Sequence, residues 1–280
     1  MLPFSGAPPP ASPWTLRATG LLRAAAAAGT DGRLRRLPLV TCLLIAVNSV
    51  VFLIGPVSGL DPLYGEGAHR AAAITAYYQH WGVVPRELLD NRAGPGESPG
   101  VPALSVLSAM FVHAGWVHLL GNMIFLYVFG TLVEARMGRL PFLLFYVAVG
   151  YLATYGYALV EQHGANGTVS LVGASGAIAG VLGACLRLYP RARVTIVIPL
   201  LLFLPLRFPA WLVLVLWFAI QGLSVRSATA GQPDVAYVAH LIGFTGGFVF
   251  AWLLYCRRRG YAGPSALPPS PLPPPQETLQ

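Results

Sequence analysis

The chain of 280 residues contains no lysine, and charged side chains of all kinds make up only 10% of it. An average soluble protein is roughly one quarter charged, so a soluble globule of this size is excluded. Cys42, Cys185 and Cys256 are too few and too scattered for a disulfide framework or a zinc site, and free thiols are expected. Acidic residues are scarce as well, 10 against 18 basic ones, leaving a net charge of +8. Yet the arginines gather in short segments between apolar runs. That placement marks the sidedness of membrane helices rather than a nucleic-acid surface. What the chain does have is 55% hydrophobic residues and a mean hydropathy of +0.63. It reads as an all-α polytopic membrane protein.

Six spans are expected, at about 37–54, 116–133, 141–160, 171–188, 209–225 and 235–255. Arg33, Arg35 and Arg36 precede the first, Arg136 and Arg139 follow the second, and Arg187, Arg191 and Arg193 follow the fourth. Arg207 opens the fifth, and Arg257, Arg258 and Arg259 follow the sixth. All these clusters fall on one side, against only the scattered Arg70, Arg86 and Arg92 of the long outer loop and a lone Arg226 on the other, so both termini are expected in the cytosol. Residues 1–36 read as a flexible cytosolic tail; a mitochondrial transit peptide is the other reading of its Arg-rich, acid-poor composition. Residues 37–257 form the membrane domain, and 258–280 a Pro-rich disordered tail. The long outer loop, about 55–115, includes an interfacial piece at 71–89. Residues 194–206 are apolar but broken by Pro199 and Pro205, and are expected to be an interfacial inner loop.

Polar residues on three of these spans then fall at one depth. Ser175, in Val172-Gly173-Ala174-Ser175-Gly176, and His240 each lie within about two turns of the outer ends of the fourth and sixth spans, roughly 6 to 8 Å below that surface. His118 and Asn122 occupy the first two turns of the second span, four residues apart and so on one face. Such groups in a bilayer are costly and face a protein interior or a water-filled cavity. Ser175 is a candidate nucleophile, His240 its general base, and the Asn122 amide, His118 and the Ser175 backbone N–H are candidate oxyanion donors. No carboxylate shares their depth on the fourth or sixth span, which favours a Ser–His dyad over a triad. Gly173, Gly176, Gly180 and Gly183 face Gly243 and Gly247, allowing close helix approach. His113 and His118, five apart, point about 140° from each other if both are helical, which is wrong for a metal pair. No metal is expected, and His113 reads as a structural residue pinning the outer loop.

His113-x4-His118-x3-Asn122, Glu134-x-Arg136, Gly173-Ala174-Ser175-Gly176 and His240-x2-Gly243-x3-Gly247, in this order, resemble the rhomboid family of intramembrane serine proteases. The resemblance implies a six-transmembrane-helix bundle that cuts membrane-protein substrates in or beside a transmembrane segment. It implies Ser175 as nucleophile, His240 as base, His118 and Asn122 as oxyanion donors, and no cofactor. Glu134 and Arg136 look like the family's structural pair, tying the outer loop to the second helix; a plain helix-end charge signal is their other reading. Two positions depart from the pattern. Ser105-Val106-Leu107-Ser108 stands where many relatives carry a Trp-Arg pair, and Ala179 where many carry an aromatic ring beside the histidine.

The expected activity is intramembrane serine endopeptidase in a bacterial cytoplasmic membrane, its partners membrane-protein substrates and the bilayer, with no nucleic acid. A catalytically silent client-binding relative is the alternative. A proton-relay transporter has no inverted repeat or charged pathway to support it.

Overall fold

A computed structural model describes residues 37–90, 102–198, 204–227 and 236–255. The expectations for the two tails, for Cys256 and for Arg257, Arg258 and Arg259 lie outside the described residues.

Apolar, β-branched and leucine-rich sequence makes the first helix, α1 (Leu39–Ile54), which starts after Pro38. The outer loop then folds into a 3-10 turn (Pro62–Tyr64), capped by Asp61, and three short helices, α2 (Gly67–Trp81), α3 (Pro85–Asp90) and α4 (Pro102–Ala109). The interfacial piece expected at 71–89 is thus largely α2 and α3, and α2 has no buried residue. Next come α5 (Trp116–Met137), which carries a π turn at Leu126–Gly130, and α6 (Arg139–Glu161). Gly138, at φ 88°, makes the sharp turn between them. A 3-10 turn (Ala165–Thr168) leads to α7 (Ser175–Leu188), and α8 (Ala210–Ser227) and α9 (Tyr237–Tyr255) complete the bundle.

Of these, α5, α6 and α9 are long and apolar enough to cross a membrane, and α1, α7 and α8 are shorter apolar helices. Large apolar side chains such as Leu43, Val50, Leu144, Leu159 and Leu253 point outward, as lipid contact requires. The protein is a membrane protein.

One expectation fails between α7 and α8. The apolar run at 194–206 is not irregular at its two ends: β1 (Arg193–Ile198) and β2 (Leu204–Pro209) pair antiparallel, Arg193 opposite Pro209 and Ile198 opposite Leu204, while Pro199 lies outside the described residues. Pro205 and Pro209 sit in a two-stranded hairpin, where every strand is an edge and a missing N–H is tolerated.

The centre of the bundle is α7, every residue from Ala177 to Cys185 being buried. It packs on α6, α9 and the π turn of α5. A methyl group at Gly243 would strike the carbonyl oxygen of Gly176, one at Gly247 that of Gly180, and one at Gly183 that of Phe244. Only hydrogen fits between these backbones.

At the other end of α5, Glu134 is buried and its carboxylate accepts from Val40 N at 3.0 Å, Thr41 N at 2.8 Å and Thr41 Oγ1 at 2.7 Å. It therefore caps the exposed amides at the start of α1. The tie expected between Glu134 and the outer loop runs instead to the first helix, and half-buried Arg136 forms no bond with another described residue. Glu134→Ala is expected to destabilise the fold by about 3 kcal/mol, because it strands buried donors, and Glu134→Gln by about 1 kcal/mol. Unfolding in mixed micelles measures both.

The outer loop is anchored without the absent Trp-Arg pair. Arg70 donates to the carbonyls of Pro56 and Val57, Trp116 Nε1 to Ser58 O, Ser108 Oγ to Trp81 O, and Arg86 Nε to Gln162 O.

Candidate active site

Ser175 is the first residue of α7, not a residue one turn inside it. The chain before it is pinned rather than helical: Val83 and Leu171 exchange backbone hydrogen bonds of 3.0 and 2.7 Å, Gly173 N donates to Ala109 O at 2.9 Å, and the backbone turns into the helix only at Ala174. A 14-residue helix is roughly 21 Å long against about 30 Å of hydrocarbon. A helix of that length with its inner end at the interface would leave Ser175 below the opposite surface. Ser175 also gains a helix N-terminus, with amides free of intrahelical acceptors and partial positive charge.

Gly173 makes the approach of α5 possible. Its φ of 125° is one that glycine alone adopts readily, and a Cβ there would lie 2.9 Å from His118 Nε2 and 3.7 Å from Ser175 Oγ. The imidazole and the hydroxyl therefore flank the same bare backbone. His118 Nδ1 accepts from Ala114 N at 3.3 Å, which places the proton on Nε2, the nitrogen beside Gly173. One turn on, Asn122 is buried and its Nδ2 has no acceptor among the described residues. Two side-chain donors near Ser175 thus lack a fixed acceptor among the described residues.

His113 is buried, but it precedes α5, so the expected 140° divergence does not apply. Its ring meets that of His118 edge-on, centroids 5.1 Å apart. Burial, with His118 adding to it, pushes its imidazole down to about 4, and it is neutral at pH 7.

His240 lies in the first turn of α9, 8% exposed. Ala239 sits 3.9 Å from the position of a Cβ on Gly176, so the residues beside His240 and Ser175 touch. No hydrogen bond joins Ser175 to His240 among the described residues, but both line one cavity of about 930 Å³ together with His118 and Asn122. Catalytic hydrogen bonds are often loose without substrate. Gly243 and Gly247 serve as the contact surface of α9 described above, and Gly176 that of α7.

Three residues of this site escape sequence reasoning. Gln221, on α8, has its Oε1 2.7 Å from His240 Nδ1. One turn before it, Trp217 sets its ring 5.8 Å from the imidazole at an angle of 36°, with Tyr237 edge-on at 6.5 Å. These rings stand where Ala179 supplies none. A lone glutamine inside the apolar run of α8 is the signal that could have pointed to it.

The arrangement offers a hydroxyl at a helix N-terminus, an imidazole on a neighbouring helix, and converging donors in a cavity large enough for a peptide segment. It is suited to acyl transfer.

Known proteins share this chain's central part. Residues 103–257, more than half of the chain, match the family model of the Rhomboid domain. "RHOMBOID-like protein 1" of Arabidopsis thaliana is 30% identical over 179 residues, covering 58% of this chain and 40% of that protein. "Rhomboid protein 1, mitochondrial" of Saccharomyces cerevisiae is 32% identical over 157 residues, 54% of this chain and 42% of that protein. The "Putative rhomboid protease YdcA" of Bacillus subtilis is 27% identical over 148 residues, 53% and 65% of the two chains. The chain spans less than two thirds of each of these three relatives. With the family match running through the helices that carry Ser175 and His240, the chain belongs to the rhomboid family.

Proposed function

We propose that the chain is an intramembrane serine endopeptidase, with residues 37–257 as its catalytic unit. The observation that carries this reading is the single cavity lined by Ser175, His240, His118 and Asn122. In the proposed reaction Ser175 Oγ attacks the scissile carbonyl carbon as His240 Nε2 takes the hydroxyl proton. The carbonyl oxygen becomes an oxyanion held by His118 Nε2–H, Asn122 Nδ2–H and the Ser175 N–H. Collapse breaks the C–N bond, and the leaving amine receives the proton from His240. Water then hydrolyses the acyl-enzyme by the same relay. A helical substrate carbonyl is already hydrogen-bonded and shielded, so the substrates are membrane proteins whose spanning helix unwinds locally at the cleavage point.

The relatives include plant and mitochondrial proteins beside a bacterial one, so they do not support the bacterial cytoplasmic membrane expected from the sequence. The orientation we propose puts the cavity in the half opposite the arginine clusters.

The test is hydrolysis of a single-span substrate in proteoliposomes, with fluorophosphonate labelling of Ser175 alongside. Turnover and labelling are expected; absence of both with folded protein overturns the reading and leaves a client-binding relative. Asn122→Ala is expected to lower kcat by about 100-fold with little change in KM, since its donor acts on the oxyanion rather than on the bound substrate.

A further inference from the structure

We propose that Gln221 is a positioning residue for the base, holding His240 in the tautomer and direction that Ser175 requires; this rests on the serine-protease reading above. An imidazole acts as a base toward Ser175 only if Nε2 carries its lone pair, which requires the proton on Nδ1. Gln221 Oε1, 2.7 Å from Nδ1, accepts that proton's hydrogen bond and fixes this tautomer. Both side chains are nearly buried, each 8% exposed, so water competes poorly for the bond.

The bond also sets the direction of the ring. Trp217 and Gln221 are four apart and share one face of α8. The indole stands beside the imidazole, centroids 5.8 Å apart and planes tilted by 36°, and is itself backed by Phe244 at 6.0 Å, while the amide holds the imidazole's Nδ1 edge. Indole and amide together restrict the rotation about the His240 side chain that Ala179 does nothing to prevent. When Ser175 transfers its proton to Nε2, the imidazolium keeps Nδ1–H on Gln221 Oε1. The amide stays neutral and no proton passes to it.

The consequence is a kcat effect without a binding effect. Gln221→Leu removes the acceptor and is expected to lower kcat, and the rate of fluorophosphonate labelling at Ser175, by about 100-fold. KM for a single-span substrate in proteoliposomes should stay within about two-fold of wild type, because Gln221 does not need to contact the substrate. Gln221→Glu restores an acceptor and should recover at least tenfold of the loss. The ¹⁵N shifts of His240 in detergent-solubilised protein give a readout that needs no turnover. The wild type should be the Nδ1–H tautomer and Gln221→Leu a mixture. A wild-type Nε2–H tautomer overturns the proposal, as does a Gln221→Leu protein with undiminished kcat. A wild type that shows the Nδ1–H tautomer yet neither cleaves nor takes the probe overturns the protease reading instead, while the bond to Gln221 stands.

Discussion

Ser175→Ala and His240→Ala are each expected to lower substrate cleavage by about 10⁴-fold or more, and the double variant should be little worse than either single one. The reason is that hydroxyl and imidazole perform one step together: without the base the hydroxyl is a poor nucleophile, and without the hydroxyl the base has nothing to activate. Residual cleavage in all three variants comes from His118 and Asn122, whose donors remain. Binding is left intact, so KM should hardly move. Rates measured in proteoliposomes for the four proteins give the coupling directly. Additive losses would mean that the two residues act in separate steps, and undiminished cleavage by either single variant would remove that residue from the relay.

The second large effect concerns stability. Gly247→Ala places a methyl group against the Gly180 carbonyl oxygen, and a backbone atom in a buried helix has no rotamer by which to yield. The helices α7 and α9 must part, at a cost at or above the upper end of the ~1–3 kcal/mol typical of overpacking. Since this contact is followed, one turn nearer Ser175 and His240, by that of Gly243 with the Gly176 carbonyl, parting the helices also disturbs the site, and the variant should lose activity in whatever fraction stays folded. Gly222→Ala on α8 is the matched control: nothing lies within 4 Å of the added carbon, and alanine is the better helix former by about 1 kcal/mol. Unfolding in mixed micelles should separate the two variants clearly; equal stabilities would refute the packing account.

Much of this was legible in the residues. Apolar runs separated by arginines gave the helices to within a few positions, because a bilayer demands long apolar stretches and charge sets their sidedness. The start of α7 misled, since Leu171 and Val172 are as apolar as the helix that follows; what keeps them extended is pairing with Val83, contributed by a loop 88 residues away in sequence. The hairpin at Arg193–Pro209 was hidden for a similar reason: its prolines argue against a strand unless the strands are known to be edges. Gln221 was hidden because a pattern of hydropathy records that a polar residue is unusual, not which neighbour it meets. The link between Glu134 and α1 depends on a contact across 93 residues, which spacing along one helix cannot reveal.

The π turn at Leu126–Gly130 lies between Asn122 and Glu134. Twelve residues of unbroken α-helix would carry Glu134 about 120° around from Asn122; the one surplus residue in that turn takes back about 100°. The amide aimed at the chemistry and the carboxylate clamped on the first helix are thus phased by a single amino acid. Wound as plain α-helix with every residue kept, the same stretch would have two ends that no longer agree: with the clamp engaged, the amide would swing about 100° off target, whereas deleting the surplus residue would keep the two in phase. The width of that turn is in effect a timing mark, setting where the amide points relative to where the helix is anchored.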